Sequence, residues 1–75
     1  MTPKDKKIIE DSEAKGIPIF VFTAKDLLSL DLITFYQQMC MKARCPDNHV
    51  AGVEDRIQEF REWRAANLDQ VKLPD

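Results

Sequence analysis

Histidine, cysteine and glycine are scarce in this chain: one, two and two respectively among 75 residues. A small secreted domain that cannot build a full core normally carries roughly four to eight cysteines as cross-links. Cys40 and Cys45 alone therefore exclude a disulfide scaffold, and both are expected to be free thiols. No apolar run exceeds the six residues Ile17–Phe22, far below the ~20 needed to cross a bilayer. The stretch Met1–Glu10 lacks the apolar centre of a secretory leader, so the expected compartment is the cytoplasm. Basic residues are also in deficit. Eleven Lys and Arg stand against 13 Asp and Glu, a net charge of −2 with a pI near 5.3. A general binder of nucleic acid or of an anionic membrane needs a basic face to displace counterions, so this balance argues against both partners.

What is present is the composition of a folded chain, with 44% hydrophobic and 32% charged residues, and a length suited to one small domain spanning residues 1–75. Such a domain has little stability to spare for a strained active site, and self-association is a fair expectation. Thr2, Pro3 and Asp5 form a helix start, with Thr as N-cap, Pro at the first helical position and an acid in the first turn. Gly16 is the natural stop for that helix. Ile17–Phe22 (IPIFVF) is β-branched and aromatic and reads as a strand with apolar groups on both faces. Pro18 restricts it to a strand start or an edge. The only second strand available is Val71–Leu73. Thr23–Asp26 has the spacing of a capping box and opens a short turn, with Ser29 as a further N-cap.

Two long helices follow, from about Leu30 to Arg44 and from about Asn48 to Ala66, joined by Cys45-Pro46-Asp47-Asn48. Asp47 or Asn48 is the expected cap of the second, and Asn67 suits its end. The first carries a broad apolar stripe that includes Leu32, Ile33, Phe35, Tyr36, Met39 and Cys40. The second carries Val50, Val53, Ile57 and Phe60 at spacings of three and four. The expected fold is mainly α with a minor two-stranded β element, in the order helix–strand–helix–helix–strand. An antiparallel helix hairpin packs on the short apolar strand, and Val71–Leu73 pairs with Ile17–Phe22. Ile57, Phe60, Phe35 and Phe20 are the expected centre of the core.

No constellation in the sequence meets the demands of a catalytic, cofactor or metal site. Cys40, Cys45, Asp47 and His49 collect ligand types, but residues five apart on a helix are rotated by about 140° around its axis, and the spacing is not that of a structural zinc site. Cys45 with His49 lacks the orienting group and pocket that a thiolate–imidazole pair needs. The acid pairs Asp26 with Asp31, and Glu54 with Asp55, are explained by caps and a solvated helix face rather than by acid–base work. A DNA-reading helix should present Arg, Lys, Asn or Gln in its first half, whereas the last helix opens Val50-Ala51-Gly52-Val53-Glu54-Asp55. Trp63, flanked by Arg61 and Arg64, is the candidate partner-contact patch, because Trp and Arg dominate interface hot spots. Tyr36, Met39 and Met41 are candidates for lining a partner groove, with core filling as their alternative role.

The run Ile17–Asp26 (IPIFVFTAKD), the acidic helix bearing Trp63 and the closing Val71–Asp75 (VKLPD) resemble small bacterial proteins of unknown function, some of them encoded in prophages. The resemblance spans Ile17–Asp75 and implies a mobile-element context, with no activity, cofactor or site residue. The expected function is a small non-enzymatic module that binds a protein partner or itself, with a candidate homodimer. A nucleic-acid-associated regulator is the alternative, and a small thiol-dependent or hydrolytic enzyme the second alternative. No cofactor, metal or small-molecule ligand is implied.

Overall fold

In the computed structural model, which describes residues 2–74, Thr2 caps the first helix, α1 (Pro3–Lys15), its hydroxyl accepting from the Asp5 amide at 3.1 Å. Gly16, at φ 69°, ends that helix in the left-handed region. Its N–H donates to the Glu13 carbonyl, and the Ile17 N–H donates to the Ser12 carbonyl at 2.9 Å. These are the two bonds of a Schellman turn. The second helix, α2 (Ser29–Lys42), closes in the same way without a glycine. The Arg44 N–H donates to Met41 at 3.2 Å, the Cys45 N–H to Cys40 at 2.9 Å, and Arg44 itself holds the left-handed position at φ 59°. A side chain in that conformation costs about 1 kcal/mol more than glycine.

The third helix, α3 (Asp47–Ala66), is capped by Pro46 rather than by Asp47 or Asn48, and no side chain bonds to its first turn. It folds back on α2 as the expected hairpin. Ile33 and Cys40 from α2 and Ile57 from α3 are the buried apolar side chains, at 8%, 4% and 2% exposure. Across the same seam the Gln37 amide donates to Glu54 at 2.8 Å. By contrast, α1 stands off: none of its Cα atoms lies within 8 Å of one in α2 or α3. Its tether is polar, an ion pair between Asp5 and Arg56 at 3.8 Å.

The expected β element does not form. Among the described residues there is no strand, and the chain is 68% helical. Ile17–Phe22 runs irregularly from α1 towards α2, anchored by Phe22, whose ring meets Phe60 edge-on at 6.3 Å between centroids. The tail does return to the body, but to a different place. The Lys72 N–H donates to Lys25 at 2.9 Å and the Leu27 N–H donates to Lys72 at 2.8 Å, an isolated parallel bridge at Asp26. The cause lies in Arg64. Its guanidinium donates to the carbonyls of Ala24, Asp26 and Leu27 at 3.3, 2.9 and 2.7 Å. That clasp draws residues 24–27, not 17–22, against the end of α3, where the tail emerges through a 3₁₀ turn at Leu68–Gln70.

With no second strand to cover Ile17–Phe22, the expected core is only partly assembled. Ile57 is buried and Phe60 half-buried, but Phe35 is 61% exposed and Phe20 is 79% exposed. The accessible surface is 6125 Å², against about 4,700 Å² for a compact monomer of this mass. The radius of gyration is 13.7 Å, against about 11 Å. The molecule is an open clasp of helices around a thin core.

The two Schellman turns give a paired prediction for urea denaturation. Arg44→Gly should raise stability by about 0.5–1 kcal/mol by relieving the left-handed side chain. Gly16→Ala should lower it by about 1 kcal/mol, through conformation alone, since an added Cβ there meets nothing within 4 Å.

Candidate functional site

The space between α1 and the helix hairpin is an open groove of about 850 Å³. Ile8 and Ile9 of α1 form one side, Ile19–Phe22 the floor, and Ile33, Tyr36, Val53 and Phe60 the other side. Its rim is polar: Arg56 donates to Glu59 at 2.7 Å and pairs with Asp5. Glu59 and Asp5 together hold the guanidinium pKa above its usual value, so this cation is internally matched. Phe20 meets Phe22 at 5.9 Å between ring centroids with the rings tilted by 42°, extending the aromatic floor outwards.

The groove continues onto the bare side of α2. At 100° per residue, the positions Leu28, Leu32, Phe35, Tyr36 and Met39 fall in one arc, beside the arc of Ser29, Ile33 and Cys40 that α3 covers. The apolar surface of α2 thus subtends roughly 160°, against the roughly 100° stripe that one packing partner takes up. α3 occupies one half, and the other remains in solvent with Leu32 at 46%, Phe35 at 61% and Met39 at 51% exposure. Tyr36 belongs to both surfaces, lining the groove and sitting within the bare stripe.

The patch expected around Trp63 is dispersed. Arg64 is spent on the three carbonyls of the 24–27 turn. Trp63 is half-buried, and its carbonyl accepts from the Asn67 side chain at 2.8 Å. Arg61 is exposed and acts at a distance on Glu54. Of the groove candidates, Tyr36 and Met39 lie on the open surface described above, and Met41 is exposed outside the groove.

The cysteine region is arranged differently from its sequence reading. The Schellman turn folds Cys45 back over the end of α2 towards Cys40, so the helical rotation that separates residues five apart does not apply here. His49 bonds to Tyr36 at 3.1 Å rather than facing Cys45. Both thiols are free, Cys40 buried and Cys45 half-buried. Desolvation, followed by a hydrogen bond with Cys40, pushes the Cys45 thiol up, away from thiolate formation. The Tyr36 phenol is raised too, first by its hydrogen bond with Cys40 and then by desolvation. Among the described residues no three His, Cys, Asp or Glu side chains gather closely enough to hold a metal ion. Asp26 acts as a cap: its carboxylate accepts from the Leu28 amide at 2.8 Å.

Sequence reasoning missed the groove because it assigned Phe20 and Phe35 to the core. The signal was nonetheless there, in an apolar arc on α2 broader than one helix can cover. No family model, curated protein or solved structure matches this chain.

The seam between α2 and α3 predicts a pH dependence. Hydrogen bonds from Gln58 and Gln37 hold the Glu54 carboxyl below its ordinary value. A depressed folded pKa contributes stability that is complete above the unfolded value of about 4.3 and is lost as pH falls through the lower folded value. The melting temperature of the unaltered protein should therefore fall more steeply on acidification from pH ~5 to pH ~3 than that of Glu54→Gln, read by circular dichroism. Parallel curves would remove Glu54 as a contributor.

Proposed function

We propose that this chain is a small non-enzymatic interaction module that binds a protein surface through the groove and the bare stripe of α2. One observation carries the reading: large apolar side chains stand more than half exposed, Phe20 on the floor of the groove and Phe35 on the bare stripe of α2. Monomeric proteins rarely leave such a patch in water, and contiguous apolar surface marks contact sites. A catalytic thiol needs a lowered pKa, whereas burial and the neighbouring thiol move Cys45 the other way. A nucleic-acid role needs a basic face, whereas the chain is acidic in balance, at −2, and two of its eleven cations, Arg56 and Arg64, are engaged within the fold. No helix among the described residues is long and apolar enough to cross a membrane. A cytoplasmic address and a mobile-element origin belong to the same proposal, the first supported by the scarcity of cysteine and the second by sequence resemblance alone.

Phe35→Asp should abolish association with the protein partner while leaving the far-ultraviolet dichroism unchanged, since the side chain is 61% exposed. A random DNA duplex titrated at low salt should give no shift at micromolar protein. A salt-sensitive shift, with association unaffected by Phe35→Asp, would replace this reading with the nucleic-acid alternative.

A further inference from the structure

Resting on that reading, we propose that the partner on this face is a second copy of the same chain, with Ile17–Phe22 pairing antiparallel to its equivalent about a twofold axis at Phe20. Area speaks first. Each chain exposes about 1,400 Å² more than a compact monomer of its mass. Covering that excess on two copies buries about 2,800 Å², which falls in the range of obligate homodimers and above that of ordinary transient contacts. A core with Ile33, Cys40 and Ile57 as its buried apolar side chains is what remains when such an interface is opened.

Charge speaks second. No charged residue lies between Lys15 and Lys25, nor between Asp31 and Lys42. These two tracts are the groove floor and the bare helix stripe. Inside the rim of Asp5, Arg56 and Glu59, whose charges pair with one another, the floor and stripe offer nothing to select a charged partner and meet their own copies without repulsion. A twofold contact requires a surface that is complementary to itself, and the uncharged floor and stripe set no like charges across such an axis.

The backbone supplies the register. Among the described residues, the N–H groups of Ile19, Phe20, Val21 and Phe22 take part in no backbone hydrogen bond within the chain. Drawn out from its irregular course in the single chain, the segment would present successive N–H and C=O groups to opposite edges. Pro18 has no N–H, so the edge shared by residues 18, 20 and 22 is defective and the edge of Ile19 and Val21 is intact. Antiparallel pairing of that edge with itself sets Ile19 opposite the second copy's Val21 and places the axis at Phe20. Phe22 stays on its own Phe60, and the α2 stripes with Phe35 close over the pair. Adding a strand at a free edge is an established mode of recognition, here made reciprocal.

Sedimentation equilibrium of the full chain across a concentration series tests the proposal. The expected mass is that of two chains, dissociating on dilution. Phe20→Asp sets two carboxylates against each other at the axis, and Val21→Pro removes the paired donor. Each should weaken association by about 100-fold or more, with helicity retained because neither position is bonded within the chain. A dimer that survives Val21→Pro unchanged overturns the strand pairing, and one that also survives Phe20→Asp overturns this face as the interface. A monomer at every concentration overturns the second copy. In that case, a foreign partner lost on Phe35→Asp leaves the interaction reading standing, and one retained removes it as well.

Discussion

The fold hangs on one carbonyl. The Asp26 oxygen accepts the Ser29 amide at 3.0 Å, the Ser29 hydroxyl at 2.8 Å and the Arg64 guanidinium at 2.9 Å. Around it, the Asp26 carboxylate caps the Leu28 amide, and the tail bridges to residues 25 and 27. The start of α2, the end of α3 and the C-terminal segment therefore converge on four residues. Ser29, at 1% exposure, is sealed there beside the thin apolar seam. A charge-assisted bond contributes about 1.5–3 kcal/mol, and this clasp has three donor contacts from a single arginine. It does through polar bonds what the short core cannot do through burial.

That constraint also explains the openness of the other end. Arg64 holds the hairpin closed near residues 24–27, whereas α1 is tethered to the hairpin by the Asp5–Arg56 pair, and the segment that follows it by the Phe22–Phe60 contact. Partly exposed ion pairs contribute little. The groove between α1 and the hairpin is thus bounded by its weakest joints, on the side where the apolar side chains stand in water. The proposed interaction and the shape of the monomer have one origin: three helices and one return segment cannot cover the apolar surface this sequence carries.

The helices were legible because their signals are local. Thr2 and Gly16 bracket α1 as read, and the stripe Val50, Val53, Ile57, Phe60 set the buried face of α3 correctly through Ile57. What failed required knowledge of partners distant in the chain. Ile17–Phe22 has strand composition, yet composition cannot supply a neighbouring strand, and Val71–Leu73 was captured by the Arg64 turn instead. The turn at Arg44 was hidden because a left-handed arginine has no sequence mark, and with it went the approach of Cys45 to Cys40. The patch at Trp63 was read from residue type, which does not reveal that Arg64 bonds to a turn 38 residues earlier.

The proposed pairing requires the amides of Ile19 and Val21, unbonded within the chain, to be bonded when the protein is assembled. Residue-resolved hydrogen exchange measured above and below the concentration at which the two copies separate reads this directly. The predicted result is slow exchange at Ile19 and Val21 in the concentrated protein and rapid exchange at both on dilution, while the helix amides change far less. Exchange at those two amides that is equally fast at both concentrations would contradict it.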